Sequence, residues 1–131
     1  MSDETPTKAE FEILKILWDS GAPMRVREVL ELLNRDAESP RAYTTVMTLM
    51  NIMADKGLLE REPDGKAFRY RPVRPRERTL KSMLAETLSR VFDGSTTALV
   101  AHLLDDAKPS ADELKAIRKL IEDYSKSEKK R

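Results

Sequence analysis

The chain has 131 residues, 36% of them charged and 5% aromatic, with a formal net charge of +1 and no cysteine. That length suits one domain with at most a small appendage, and collagenous or membrane-spanning classes are excluded, since the longest apolar run is far too short to cross a bilayer. Disulfides, thiolate metal sites and cysteine nucleophiles are excluded too, and the N-terminal "MSDETPTKAE", with no basic region ahead of an apolar stretch, predicts a cytoplasmic protein without a secretion signal.

Thr7, Lys8, Ala9 and Glu10 form a capping-box pattern. Behind it Phe11, Ile13, Leu14, Leu17 and Trp18 make one apolar helical face, ended by "GAP" at residues 21–23. A second helix is predicted over residues 26–34, with Val26, Val29, Leu30 and Leu33 inward. The polar "RDAESPR" with Pro40 reads as a connector. A third helix starts near Arg41 or Ala42 and stops at Lys56 and Gly57.

The period then changes. "LLEREPDGKAFRYRPV" partly alternates apolar and charged residues around Asp64 and Gly65, and Asp-Gly fits a two-residue type I′ hairpin turn. Pro63 and Pro72 predict short or edge strands. Three helices followed by a two-stranded ribbon predict a winged helix-turn-helix domain over residues 1–74.

Residues 75–131 return to a helical period. Leu80, Leu84, Leu88 and Val91 form one stripe, with Met83 and Phe92 beside it, and Gly94 breaks it. Leu99, Val100, Leu103 and Leu104 mark a fifth helix. A second capping-box pattern, Ser110 to Glu113, opens a sixth with Leu114, Ile117, Leu120, Ile121 and Tyr124; the tail "SKSEKKR" is expected to fray. The fold class is therefore mainly α with a small β-hairpin wing and a C-terminal helical region.

The third helix, "AYTTVMTLMNIMADKG", carries three threonines near its start, although β-branched residues are mediocre helix formers. At about 100° per residue, Val46, Leu49, Met50 and Met53 share the inward side. Thr44, Thr48, Asn51 and Asp55 share another, with Thr45 beside them. Short hydroxyl and amide side chains suit a helix that lies in a major groove: Thr can bond phosphate or base edges and touch a thymine methyl, and Asn can bond adenine. Arg41 stands at the mouth of that helix. Local capping, or bonding back to a preceding carbonyl, is the alternative use of Thr44 and Thr45.

Residues 66–81 carry seven basic side chains (Lys66, Arg69, Arg71, Arg74, Arg76, Arg78 and Lys81) against Glu77 alone, a local net of +6. Such a stripe fits an electrostatic footprint for DNA, or a solvated charged face. In the DNA geometry Lys66, Arg69 and Arg71 lie beside the backbone, and Tyr43 and Tyr70 either donate to phosphate or pack.

The segments "PTKAEFEILKILW", "VREVLELL", "AYTTVMTLMNIMADKGLLERE" and "GKAFRYRPV" resemble the penicillinase-repressor family, which includes the methicillin-resistance repressors and related copper-transport repressors. The resemblance covers nearly the whole chain and is most specific over residues 42–59 and 68–72. It implies a dimeric winged-helix repressor that binds double-stranded operator DNA, a pseudo-palindrome of TACA and TGTA elements, through its N-terminal domain. It carries DNA contacts onto Thr45 and Thr48, and more weakly onto Thr44 and Arg41. Many relatives have Arg where this chain has Ile52, so one contact is missing here. The copper branch uses C-terminal cysteines that this chain lacks. In the antibiotic-resistance members a membrane sensor protease leads to cleavage of an Asn-Phe bond; His102 and Leu103 stand at that place here, so this partner meets a different bond.

Helices four to six hold too few residues for a good independent core, and burial against a second copy is the simpler solution. Leu99, Val100, Leu103, Leu104, Leu114, Ile117 and Ile121 are the expected homodimer contacts; a helical hairpin packed on the first domain is the alternative. His102, the only histidine, can pair with Asp106. No metal or cofactor is expected, nor an enzyme: no nucleophile has a nearby base, and "GAP" and "PDGK" are not phosphate loops. The expected function is a sequence-specific homodimeric repressor. A winged-helix adaptor that binds proteins, or an architectural DNA binder, is the alternative.

Overall fold

The structure, a computed structural model, describes residues 5–129; residues 1–4 of the N-terminal segment and 130–131 of the tail fall outside that range. The elements are α1 (Lys8–Ser20), α2 (Val26–Asn34), α3 (Tyr43–Asp55), β1 (Leu59–Asp64), β2 (Ala67–Pro72), α4 (Arg76–Arg90), α5 (Thr96–Ala107) and α6 (Ala111–Lys129). The chain divides into two compact units, Met1–Ala85 and Glu86–Arg131. The division falls inside α4, whereas the sequence periods place it before Pro75.

In the first unit α1 begins with the capping box its sequence predicts. The Thr7 hydroxyl accepts from the Glu10 amide at 3.2 Å, and the Glu10 carboxylate accepts from the Thr7 amide at 2.9 Å. It ends at Gly21, whose φ of +71° is left-handed and whose N–H donates to the Leu17 carbonyl. Between α2 and α3 the Asn34 side chain bonds both backbone groups of Arg41, accepting at 2.9 Å and donating at 3.0 Å. One amide thereby closes the connector and fixes where α3 starts.

The core draws Ile13, Leu14 and Leu17 from α1, Val26 and Val29 from α2, and Val46, Met50 and Met53 from α3. Leu58, Leu59 and Tyr70 add the base of the hairpin. Each such side chain gains about 1.5–3 kcal/mol from burial. The inward face of α3 is therefore taken up by packing, and Leu49 sits half-buried at its margin. What remains of α3 is its outward face.

The hairpin pairs Leu59 with Pro72 through Asp64 with Ala67, so the two loop residues are Gly65 and Lys66. Only Gly65 has positive φ, +66°. A type I′ turn centred on Asp64 and Gly65 needs positive φ at both central residues; a left-handed glycine at the first position alone is the type II′ pattern instead. Asp64 is thereby left as the last residue of β1, with its side chain available to neighbours. Tyr70 and Met24 exchange backbone bonds of 2.8 and 3.0 Å, which tie β2 to the segment ahead of α2.

In the second unit Asp93 and Gly94 both have positive φ and separate α4 from α5. The Ser95 hydroxyl accepts from the Ala98 amide at the start of α5, and Ser110 from the Glu113 amide at the start of α6. The tail does not fray within the described residues: α6 runs to Lys129, with Lys126 and Lys129 in its last turn, where cations complement the helix dipole. His102 lies against the Phe92 ring, 5.4 Å between centroids, rather than pairing with Asp106. No residue of α5 or α6 is buried.

Candidate nucleic-acid interface

Between Arg41 and Asp55 the sequence has no charged residue. The outward side of α3 therefore presents Thr44, Thr45, Thr48 and Ile52, all exposed, and none of them charged. Ala42 is the N-cap, and no side chain closes the first turn. Among the described residues no hydrogen bond engages the hydroxyl of Thr44, Thr45 or Thr48. Local capping is thus not what these threonines do in the folded chain. Three hydroxyls and the first-turn amides stand ready for an external acceptor or donor.

Asn51 differs from the threonines. Its Oδ1 accepts from Tyr70 Oη at 2.8 Å and from Arg61 Nη1 at 3.0 Å. Both acceptor sites on that oxygen are used, whereas a bidentate adenine contact needs it. Asn51 thus ties α3 to the hairpin. Tyr70 is only 3% exposed and directs its hydroxyl to Asn51, so the phosphate role open to it in the sequence is closed. Burial pushes its phenol pKa up, opposed by the Arg61 charge. Tyr43 is exposed, with the Arg27 guanidinium 5.3 Å from its ring centroid.

Beside α3 lies a concave surface of about 740 Å³ lined by Arg25, Arg27, Arg61, Lys66 and Arg69, with Glu28 as its only acid. The sequence pattern does not point to Arg25, Arg27 or Arg61. Arg25 and Arg27 flank the start of α2, and Arg61 pairs across from Tyr70 in the hairpin register. A charge count over residues 66–81 looks only along the chain, whereas the fold gathers cations from three segments. Arg61 lies 5.7 Å from the Phe68 ring centroid and 3.6 Å from Asp55.

The predicted arginines are already in ion pairs. Arg41 meets Glu12 at 2.7 Å, Arg71 meets Glu60, and Arg69 Nε meets Asp64 Oδ2 at 2.7 Å. Arg25 approaches the same Asp64 oxygen at 2.7 and 2.8 Å. Exposed pairs of this kind are weak and readily exchanged, so a phosphate can share or take over the guanidinium. Lys66, at the turn, has no ion pair among the described residues.

Hydrogen bonds from Arg69 and then Arg25 hold the Asp64 carboxyl below the ordinary carboxylate pKa. A depressed carboxyl contributes stability above its unfolded pKa and loses it as pH falls through the folded value. The wing-tip anchor should therefore persist through mild acid and open only below the ordinary value of about 3.9. NMR shifts of the Arg25 and Arg69 Nε protons across an acid titration read this directly. Release already at about pH 5, above the ordinary value, would contradict the assignment.

Leu99, Leu114 and Ile117 are half-buried, and Val100, Leu103, Leu104 and Ile121 are exposed. Leu84 on α4, Val91 just after it, and Leu120 and Tyr124 on α6 are exposed as well. The bond between His102 and Leu103 lies in the middle of α5, so cutting it would first require local unfolding of that helix. No described helix is long and apolar enough to cross a membrane.

An exposed third helix after a closed connector, followed by an antiparallel hairpin anchored on the same core, defines a winged helix-turn-helix protein. A profile of the family described as penicillinase repressor matches residues 6–123. The chain belongs to the penicillinase-repressor family, a family of transcriptional repressors rather than enzymes. It is 34% identical over 113 residues to the transcriptional regulator BlaI of Mycobacterium tuberculosis, covering 86% of this chain and 79% of that one. It is 22% identical to the penicillinase repressor of Bacillus licheniformis, over 92% of each chain. With the methicillin resistance regulatory protein MecI of Staphylococcus aureus it shares 24% identity over 88% of this chain and 91% of that one.

Proposed function

We propose that the chain is a homodimeric, sequence-specific repressor, each protomer laying α3 in the major groove of one half-site of a pseudo-palindromic operator. The observation that carries this is the outward face of α3, uncharged from Thr44 to Ile52 and with unengaged threonine hydroxyls, beside a cationic concavity. Short neutral side chains can read base edges and cations can neutralise phosphates, and the two surfaces stand side by side. Thr44, Thr45 and Thr48 meet base edges or the nearest phosphates. Arg41, Lys66, Arg69 and Arg71, joined by Arg25, Arg27 and Arg61, meet phosphates. Asn51 holds the wing in place. The apolar surfaces of α5 and α6 close on a second copy, and two-fold symmetry then makes the site palindromic. The roles of the relatives as regulators and repressors support the same reading.

The test is a gel shift with fragments selected from the source genome, run against random competitor DNA. Thr45→Ala and Thr48→Ala should each weaken specific binding by roughly 1–3 kcal/mol and leave non-specific binding nearly unchanged. Arg71→Ala should weaken both and reduce the salt slope by about 0.9 for each phosphate that its guanidinium no longer neutralises. A chain that shows no specific band at moderate salt is an adaptor for other proteins; one that binds random DNA equally well is architectural.

A further inference from the structure

We infer that Ile52 reads the C5-methyl group of a pyrimidine, thymine in ordinary DNA, in each half-site. The inference rests on the repressor reading above and adds a specificity determinant to it. Ile52 is 45% exposed, whereas Met50 and Met53 of the same helix are fully buried and Met47 and Leu49 half-buried. It follows Thr48 by one turn and Thr45 by two, so the three form one row along the outward face. Each member of the row ends in a methyl group. The row is uncharged as far as Ile52, with Asp55 one turn further on at 3.6 Å from Arg61, and the cations of Arg25, Arg27, Arg61, Lys66 and Arg69 are gathered in the concavity beside α3. On a duplex this layout puts phosphates against the cations and base edges against the row.

An isoleucine has neither donor nor acceptor. The one feature of the major-groove edge that rewards it is the pyrimidine C5-methyl group. It also selects against the alternatives, because covering a guanine N7 and O6 or a cytosine amino group with a branched aliphatic side chain strips water from a polar edge and returns no hydrogen bond. The two threonines of the row can bond several bases, whereas Ile52 answers only to a methyl group. It is therefore the sharper discriminator of the three.

The experiment selects operator DNA from a random pool with the full chain, then replaces each thymine of the bound sequence by deoxyuridine in turn. At one thymine per half-site the loss should be about fourfold, the worth of one buried methyl group. With Ile52→Ala the same replacement should cost nothing, and at that position 5-methylcytosine should bind the natural chain more tightly than cytosine does, with no such difference for Ile52→Ala. The salt slope should be equal for the natural chain and Ile52→Ala, since neither side chain neutralises a phosphate. Alanine is a better helix former than isoleucine, so the variant folds. An enriched operator in which no thymine shows an Ile52-dependent methyl effect overturns this proposal and leaves the repressor reading intact. Failure of any sequence to enrich overturns both.

Discussion

Replacing Leu103 and Ile121 together by glutamate is expected to leave a monomer that no longer holds a specific operator complex, with a loss of at least a hundredfold in apparent affinity. Both side chains are 58% exposed in the single chain, one on α5 and one on α6. In a two-fold interface each substitution occurs twice, so four carboxylates would be placed where apolar surface is covered. Desolvating an unpaired carboxylate costs several kcal/mol, more than burying one leucine returns. The DNA consequence follows from linkage of the two half-sites: once one α3 is seated, the second binds at an effective concentration that raises avidity by about 10²–10⁴, and a monomer forfeits that factor. The core residues all lie between positions 13 and 70, so helical circular dichroism from the first unit should survive. Sedimentation separates the outcomes: a double variant that remains a dimer would show that these faces do something else.

Much of this was legible in the sequence, for reasons that differ by element. The first capping box, the left-handed Gly21 and the 26–34 helix follow from local chemistry, and the structure returns each of them. The outward threonines were legible because the buried set Val46, Met50 and Met53 leaves only one side of α3 for them. The turn sits one residue later than Asp-Gly predicts, because that dipeptide is a local signal while the register is set by pairing across both strands. The Met24 to Tyr70 bridge is a single pair with no period, so no pattern could reveal it. Arg25, Arg27 and Arg61 show no pattern along the chain and become a patch only when α2, α3 and β1 meet. Asn51 was legible as outward but not as engaged, because its partners come from the hairpin, ten and nineteen residues further on.

A second large effect is expected at a position remote from the outward threonines of α3. Glu10 is only 2% exposed. Its Oε1 accepts from the Thr7 amide, and the Lys56 ammonium reaches both carboxylate oxygens at 3.0 and 2.9 Å. Lys56 is the C-cap of α3, so one carboxylate joins the first turn of α1 to the end of α3. Glu10→Ala removes the cap, worth about 1 kcal/mol, and strands a partly covered ammonium. Since the Lys56 side chain keeps 27% exposure, it can swing toward water, which puts the total at about 2–4 kcal/mol rather than at the upper end for a buried pair. For a chain of this size that lowers Tm by roughly 10 °C. Glu10→Gln keeps an acceptor for Thr7 and loses only the charge, so it should cost about half as much. Lys56→Met combined with Glu10→Gln should cost less than the two single effects added, because each partner then lacks the charge that made the other's absence expensive. Thermal melts of the full chain give the ordering, and equal, small losses for the alanine and glutamine variants would mean that the carboxylate is a bystander at the junction of α1 and α3.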